Sequence, residues 1–241
     1  MIFETLIPLQ RNPPRVKNTA PLIVLEGIDG SGKGTQAARL HERFTKSGRQ
    51  SSLLSFPRYQ STFFGARVGD FLNGKFGTLD QLSPFLVSLL YAGDRFESKA
   101  PLNQARSQSE VVVLDRYVPS NIAHQSAKAS PEERQQLTDW IEQVEYTIFE
   151  LPQPELVILL DIPVSVSQEL IRRKNPRSYT DQATDLQESD TTYLSAVRQV
   201  YLSLAEKSPH WKVVPVTEQG ELRSIEEISD EIWELVQPVM S

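Results

Sequence analysis

The sequence predicts an α/β fold of three layers, in which helices cover both faces of a central parallel sheet of about five strands. Several short apolar runs lack the alternation of a half-exposed strand, which is typical of parallel strands buried on both faces. Helical patterns lie between these runs, so strands and helices alternate as they do in βαβ units. The predicted strands are 22–26, 52–56, 111–114, 156–160 and 213–216.

Capping sequences mark where three of the predicted helices begin. Residues 83–84 (Ser-Pro) place a proline in the first turn of a helix that we expect to reach Phe96. Residues 130–133 (Ser-Pro-Glu-Glu) form a capping box, and a second one begins the last helix at Ser224. The first box is followed by a stripe of apolar residues at helical spacing, for which burial is predicted: Leu137, Trp140, Ile141, Val144 and Ile148.

The composition excludes several classes of protein. The chain has 241 residues, a net charge of −6 and no cysteine, which excludes disulfide scaffolds, thiolate zinc sites and cysteine nucleophiles. An acidic surface opposes binding to nucleic acid or to an anionic membrane, and no apolar run reaches the length of about 18 residues that a membrane span needs. Because the first residues lack the pattern of a signal peptide, we predict a cytoplasmic protein.

One domain is expected over 21–241. Residues 1–20 contain Pro8, Pro13 and Pro14, which disfavour a helix. This N-terminal extension is therefore predicted to be disordered, with an arm packed on a partner subunit as the alternative. The segment 174–185 is polar and has no apolar period, so it is predicted to be a mobile lid over the site.

The strongest local signal is a glycine-rich loop between a predicted strand and a predicted helix. Such a loop aims backbone N–H groups at one point, and the helix adds its positive N-terminal end. Its lysine supplies a mobile charge for the terminal phosphates of a nucleotide. A serine or threonine usually follows this lysine, whereas this chain has a glycine there, which argues against a GTPase. The residues predicted to bind ATP are Gly27, Ile28, Asp29, Gly30, Ser31, Gly32, Lys33, Gly34 and Thr35.

Three arginines suggest a second phosphate site. Arg58 and Arg116 follow predicted strands, at the edge of an open α/β sheet where ligands bind. Arg95 shares a helix face with Tyr91, so a guanidinium and an aromatic ring could act together. Forked guanidinium donors match phosphate oxygens. The alternatives are solvated arginines and a tyrosine that only packs in the core.

Asp115 and a basic segment complete the predicted chemistry. Asp115 ends an apolar strand in front of the phosphate loop, where a carboxylate could hold Mg²⁺ directly or through water. The alternatives are a solvated strand end and a salt bridge between Asp115 and Arg116. Arg173 precedes the predicted lid and Arg177 lies within it, and a cation that closes over the transferring phosphoryl group stabilises its charge. The alternative is a solvated face, and the sequence does not choose between the two arginines.

Taken in order along the chain, these segments resemble those of thymidylate kinases. The resemblance rests on GIDGSGKGTQ at 27–36, FPRY at 56–59, YAGDR at 91–95, DRYVPSN at 115–121 and the lid ending near 185–188. It implies an enzyme that phosphorylates dTMP to dTDP with ATP and Mg²⁺ for dTTP synthesis, and a homodimer. A broader nucleoside monophosphate kinase and a catalytically inactive nucleotide-binding module stay open as alternatives.

The resemblance also implies roles for individual residues. Tyr91 would stack on thymine, Arg95 would face the base and the monophosphate, and Arg58 and Arg116 would clamp the monophosphate. Tyr59 and His124 would crowd the sugar, while Asn121 and Gln125 would line the nucleoside pocket. The implied catalytic group is Lys33, Asp29, Asp115, Arg116, Arg173 and Arg177. The implied dTMP-binding group is Phe56, Pro57, Arg58, Tyr59, Tyr91, Arg95, Arg116, Asn121, His124 and Gln125. The implied metal-binding group is Asp29, Asp115 and Glu188.

Overall fold

A parallel sheet forms the centre of the protein in a computed structural model, which describes residues 19–78, 81–172 and 190–240. Within these ranges the sheet has five strands in the order β2-β3-β1-β4-β5, and every neighbouring pair is parallel. The predicted fold class is confirmed, and the strand before the glycine-rich loop is the central one. The strands are β1 (Leu22–Glu26), β2 (Ser51–Ser55), β3 (Val111–Asp115), β4 (Leu156–Asp161) and β5 (Trp211–Pro215).

Helices connect the strands and cover both faces of the sheet. In the described residues they are α1 (Lys33–Lys46), α2 (Phe63–Leu72), α3 (Pro84–Glu97), α4 (Lys99–Gln108), α5 (Val118–Ser126), α6 (Pro131–Glu142), α7 (Val164–Arg172), α8 (Thr191–Lys207) and α9 (Ile225–Val236). A π-helical turn (Gln143–Ile148) extends α6, and a 3₁₀ turn (Gln237–Val239) follows α9. A short antiparallel hairpin joins β6 (Thr217–Glu218) to β7 (Glu221–Leu222).

The two faces of the sheet bury alternate residues of the same strands. Ile23 and Leu25 of β1 belong to an apolar cluster that includes residues of α1, α8 and α9. Leu22 and Val24 belong to a second cluster that includes residues of α4, α5 and α6. Because both faces are covered, the strand is apolar throughout, which explains why β1, β3 and β4 have continuous apolar sequences.

The register brings the ends of three strands to one edge of the sheet. Leu25 of β1 lies opposite Asp115 of β3, and Glu26 lies opposite Leu159 of β4. The loops that leave β1 and β3 therefore begin side by side, which is where ligands bind in open α/β sheets.

Two expectations about burial are wrong. Ile148 is 64% exposed, because α6 ends at Glu142 and the chain continues in the wider π-helical turn. In such a turn hydrogen bonds span five residues, so the spacing that aligns Val144 with Ile148 in an α-helix is lost. Val213 is 40% exposed because β5 is an edge strand that is not covered on both faces.

The caps behave largely as expected. Ser130 and Ser224 both form capping boxes with the glutamate three residues later. Pro84 begins α3 as predicted, although the Ser83 side chain makes no capping hydrogen bond. Across the described ranges, no helix is both long enough and apolar enough to span a membrane.

Candidate active site

The glycine-rich loop is fixed by close backbone approaches. Gly27 has a φ of 146°, and a Cβ there would lie 2.7 Å from the carbonyl oxygen of Leu160 in β4. Gly30 has a φ of 79°, and a Cβ there would lie 2.6 Å from the carbonyl oxygen of Ser167 in α7. Side chains are excluded at both positions by conformation and by space. The loop is therefore packed between β4 and α7 before α1 begins.

The N-terminus of α1 offers donors for an anion. Its capping residue is Gly32, with a φ of 86°, so no side chain caps the first amides of the helix. Uncapped N–H groups and the helix dipole together favour a phosphate at this position. The Lys33 ammonium donates to the carbonyl oxygen of Ile28 at 3.1 Å and lies 3.7 Å from Asp29 Oδ1, so it is held beside the loop.

The structure explains why glycine follows Lys33. A Cβ at Gly34 would lie 3.0 Å from Asp115 Oδ2, so the carboxylate occupies the space that a serine or threonine side chain would need. Asp115 Oδ1 is buried and has no hydrogen-bond partner among the residues described. The alternative of a salt bridge between Asp115 and Arg116 is not observed, because Arg116 pairs with Asp29. Asp115 thus presents an unused acceptor beside the phosphate loop.

Arg116 links the phosphate loop to α5. Its Nη2 donates to Asp29 Oδ1 at 2.6 Å, and its Nη1 donates to Ser120 Oγ at 3.2 Å. The residue has a φ of 68°, a left-handed conformation that is uncommon for a side chain of this size and is typical of functional sites. Burial opposes the charge, but neighbouring acidic groups, Asp29 foremost, raise the pKa of Arg116 well above its ordinary value. The guanidinium is a fixed positive charge at the sheet edge.

Glu26 supports the turn at Tyr117 and Ser120 through hydrogen bonds, a role that the sequence patterns above did not identify. The side chain is fully buried, and Oε1 accepts from the backbone N–H groups of Tyr117 at 2.8 Å and Ser120 at 3.2 Å. Oε2 accepts from the hydroxyl of Tyr201 in α8 at 2.8 Å. Burial raises the pKa of Glu26, and Arg116 and these hydrogen bonds act in the opposite direction. A charge directly before the glycine-rich loop was the only available signal.

Arg95 is buried against a partner that sequence patterns did not identify. Its guanidinium is 2% exposed and forms a two-pronged ion pair with the fully buried Glu145, with Nη2 at 2.7 Å from Oε1. Glu145 lies in the π-helical turn, next to Val144 of the predicted apolar stripe, so helical periodicity did not favour its burial. Arg95 and Arg116 therefore pair with different carboxylates.

Asp94 fixes the loop that carries Arg58. The buried Asp94 carboxylate accepts from the backbone N–H of Arg58 at 3.0 Å and from the Thr62 hydroxyl. Arg58 Nη1 donates to Ser98 Oγ at 3.4 Å. The peptide bond between Phe56 and Pro57 is cis. The FPRY segment is thus attached to α3, the helix that carries Tyr91 and Arg95.

Polar and aromatic groups from α2, α3 and α5 meet beside these arginines. The rings of Tyr91 and Phe71 lie edge to face with centroids 6.4 Å apart, and Tyr59 packs against the same small apolar cluster. Asn121 and Gln125 are 2% and 0% exposed and lie one turn apart on α5. Asn121 Oδ1 and Gln125 Nε2 have no hydrogen-bond partner in the part of the chain described. One acceptor and one donor on the same helix are thus buried without a partner among the described residues.

His124 is a neutral hydrogen-bond bridge. Arg116 Nη1 lies 3.4 Å from its Nε2, and a guanidinium can only donate, so Nε2 accepts and Nδ1 carries the hydrogen. Nδ1 lies 3.0 Å from the hydroxyl of Tyr193, which donates to the His124 carbonyl oxygen. Burial, together with the Arg116 charge, holds the pKa of His124 well below its ordinary value. The ring connects Arg116 to the start of α8.

Part of the predicted site lies outside the described residues. Arg173, Arg177 and Glu188, and the whole of the predicted lid at 174–185, belong to this part. Among the described residues, no three histidine, aspartate or glutamate side chains form a metal-binding group.

The fold and the site together define a P-loop nucleotide kinase, with a phosphate loop on the central strand and a second cationic region beside it. A family model described as thymidylate kinase matches residues 25–232, and the chain belongs to the thymidylate kinase family. It is 34% identical to a probable thymidylate kinase of Thermococcus onnurineus over 89% of this chain and 96% of that protein. It is 30% identical to a thymidylate kinase of Mycobacterium tuberculosis over 80% of this chain and 90% of that protein. A solved structure of thymidylate kinase from Candida albicans matches with a TM-score of 0.69 and 26% identity over 92% of each chain.

Proposed function

We propose that this chain transfers the γ-phosphoryl group of ATP to dTMP, giving ADP and dTDP with the help of Mg²⁺. Family membership and the phosphate loop support a kinase. The observation that carries the choice of acceptor is the unpartnered pair of Asn121 Oδ1 and Gln125 Nε2. Neither a broader nucleoside monophosphate kinase nor an inactive nucleotide-binding module is favoured.

The free amide atoms match the edge of thymine. Thymine presents a carbonyl acceptor at O4 beside an N–H donor at N3. The Gln125 donor suits O4, and the Asn121 acceptor suits the N3 hydrogen. A buried polar group without a partner costs about 1–3 kcal/mol, so a base that satisfies both groups binds preferentially. Tyr91 is the proposed stacking ring in this pocket, and Tyr59 and His124 are proposed to border the sugar.

Phosphoryl transfer requires positioning and charge neutralisation rather than a covalent intermediate. Lys33 and the uncapped N-terminus of α1 are proposed to hold the donor phosphates, where charge moves during the reaction. Arg58 and Arg116 are proposed to hold the monophosphate of the acceptor. Asp29 orients Arg116 through the ion pair, so it acts on the acceptor through this arginine. Arg95 stays in the proposed dTMP site, with its guanidinium fixed by Glu145.

The residues present fit a magnesium ion. Mg²⁺ is bound in kinases by one or two carboxylates together with substrate phosphates and water, so a dense cluster of acidic residues is not needed. The buried, unpartnered Asp115 Oδ1 beside the phosphate loop is the proposed ligand, directly or through water. Asp29 is less suited, because it pairs with Arg116 and Lys33. The ion would neutralise charge on the transferring phosphoryl group.

The lid is proposed to supply a further cation. Arg173 or Arg177 would close over the transferring group, and Glu188 would contribute near the metal; all three assignments rest on the sequence. The extension at 1–20 and the cytoplasmic location likewise stay predictions from the sequence.

A homodimer is proposed from an exposed apolar surface. Phe63 of α2, Phe96 of α3 and Ile148 after α6 are 63%, 50% and 64% exposed. Phe96 packs on Phe149 with ring centroids 4.6 Å apart, and α2 contacts α3 where the Phe64 ring lies against Gly93. Apolar patches of this kind favour association. Light scattering should give twice the 27.3 kDa chain mass, and a species at 27.3 kDa would contradict the dimer.

A substrate panel tests the proposed reaction. ADP release is measured with ATP or GTP as donor and with dTMP, dUMP, dCMP, AMP and GMP as acceptors. We expect the highest kcat/KM for dTMP. Equal kcat/KM for dTMP and AMP would contradict the proposal, and an absence of turnover with every acceptor would support the inactive module.

A further inference from the structure

Two charged side chains, Glu145 and Lys128, form hydrogen bonds with the two buried amides of α5. The Asn121 amide nitrogen donates to the carbonyl oxygen of Ser88 at 3.0 Å and to Glu145 Oε1 at 2.9 Å. One turn later, Gln125 Oε1 accepts from the ammonium of Lys128 at 3.1 Å. Each amide is therefore bound at one end and free at the other, with opposite polarity.

The chemistry of these partners decides which end of each amide is free. The two ends of an amide have nearly the same shape, so hydrogen bonding alone sets the orientation. A carboxylate can only accept, so Glu145 binds the nitrogen of Asn121 and leaves its oxygen free. The amino group of Lys128 donates to the oxygen of Gln125 and leaves its nitrogen free. In its ammonium form, which the neighbouring rings favour, Lys128 can only donate. Rotation of the Asn121 amide by 180° would place its oxygen against the Glu145 carboxylate, and the same rotation of Gln125 would place its NH₂ group against the Lys128 ammonium.

The two charged groups are themselves held in place. Glu145 is fully buried and accepts two hydrogen bonds from the guanidinium of Arg95. The Lys128 ammonium lies 5.0 Å from the ring centroid of Phe71 and 5.7 Å from that of Tyr193. Rings at such distances favour a cation. Neither amide is therefore free to rotate in response to a different ligand.

We propose that Glu145 and Lys128 are positioning residues that make the site select a thymine base over a cytosine base, by fixing the orientation of Asn121 and Gln125. This inference rests on the proposed function, in which these amides face the base. Cytosine presents an amino donor and a ring acceptor where thymine presents O4 and N3–H, so it opposes both fixed groups. Sites that hydrogen-bond a substrate in this way reject mismatched analogues strongly, because buried groups stay unpaired.

The test compares dTMP with 5-methyl-dCMP, which differ only at this edge of the base. The Glu145→Gln side chain can both donate and accept, so it allows Asn121 to turn over. Lys128→Met removes the donor that orients Gln125. We expect each variant to lower the ratio of kcat/KM for dTMP to that for 5-methyl-dCMP by about tenfold to a hundredfold. The ratio for dTMP over dUMP, which differ only in the methyl group, should stay within about twofold.

Matched variants separate orientation from general damage. Lys128→Arg keeps a group that can only donate, so it should retain the wild-type ratio. Glu142→Gln removes a carboxyl group at the end of α6, one turn before Glu145, and leaves the hydrogen bonds of Asn121 in place. This variant should also retain the wild-type ratio. Thermal unfolding reports whether each variant is folded. If Glu145→Gln does not fold because Arg95 loses its partner, Lys128→Met decides the outcome.

The results separate this inference from the proposed function. Wild-type turnover of dTMP tests the function itself, and its absence would overturn that proposal. If the wild type prefers dTMP and folded Lys128→Met keeps the wild-type ratio, the positioning role of Lys128 is wrong. If folded Glu145→Gln also keeps the wild-type ratio of kcat/KM for dTMP to that for 5-methyl-dCMP, the whole inference is wrong. An equal fall in kcat/KM for all three nucleotides would indicate structural damage and would likewise overturn it.

Discussion

The two halves of the site are built by different means. On the donor side, glycine backbone and a helix N-terminus form the loop at 27–35, and its two charged side chains, Asp29 and Lys33, lie close to each other in sequence and in space. On the acceptor side, α3, α5 and the turn at 143–148 hold buried charges, chief among them the Arg95–Glu145 pair. Backbone N–H donors can bind any phosphate group, whereas side chains held in fixed orientations bind a ligand of one shape and hydrogen-bonding pattern. We propose from this difference that the donor side provides the chemistry and the acceptor side provides the selection.

The largest expected effect is on stability, at the acceptor side. Removing one partner of a buried ion pair leaves an uncompensated charge and costs about 3–5 kcal/mol. Glu145→Ala should therefore lower the free energy of unfolding by about this amount, measured by urea denaturation. The double variant Arg95→Met/Glu145→Met removes both charges and should recover most of the loss. A single variant as stable as wild type would contradict the burial of this pair.

Lys33 should show the opposite behaviour at the donor side. Lys33→Ala removes a donor that is proposed to act on the transferring phosphoryl group, and the loss of such a donor costs about 10²–10³ in kcat. Stability should change by only about 1–2 kcal/mol, because the hydrogen bond to Ile28 and the 3.7 Å contact with Asp29 are lost while Asp29 keeps its ion pair with Arg116. Lys46→Ala, at the exposed end of the same helix, is the control and should leave kcat unchanged. Steady-state kinetics with both substrates varied decides between these outcomes.

Two glycines test the space around the phosphate loop. Gly30→Ala places a methyl group 2.6 Å from a carbonyl oxygen in a left-handed conformation, and we expect a loss of about 1–3 kcal/mol in stability with a fall in kcat. Gly32→Ala has the left-handed conformation but no atom within 4 Å of the new methyl group. It should cost only about 1–2 kcal/mol. Equal losses would show that conformation alone, rather than packing against α7, fixes the loop.

The last expected effect is a pH dependence at Lys128. Burial lowers its pKa from 10.5 to about 7, so between these values the unfolded chain binds a proton that the folded chain lacks. The contribution of Lys128 to the free energy of unfolding therefore rises as the pH increases from 7 to 10.5, with a slope below about 1.4 kcal/mol per pH unit. The two aromatic rings favour the ammonium and reduce the slope. In urea denaturation, the stabilities of wild type and Lys128→Met should therefore move apart as the pH falls from 10.5 to 7, with the methionine variant relatively more stable at the lower pH, and the difference should stay constant below pH 7.

The sequence by itself determined the fold class and the position of the phosphate loop. Apolar runs without alternation follow from strands buried on both faces, and they placed β1, β3 and β4 correctly. Proline and capping boxes located α3, α6 and α9, because caps are local chemistry. The glycines, Lys33 and the DRY segment were visible for the same reason, since each is a contiguous pattern.

Only the tertiary structure decided how the acceptor side is held. Glu145 and Arg95 are 50 residues apart, and Glu26 meets Tyr201 over a separation of 175 residues. No local periodicity records such pairs, because they depend on which helix faces the end of which strand. The π-helical turn exposed Ile148 and buried Glu145, which reversed the burial that a regular helix predicts. The buried charges of the acceptor side are satisfied by partners from distant segments, so their positions become known only when the packing is known.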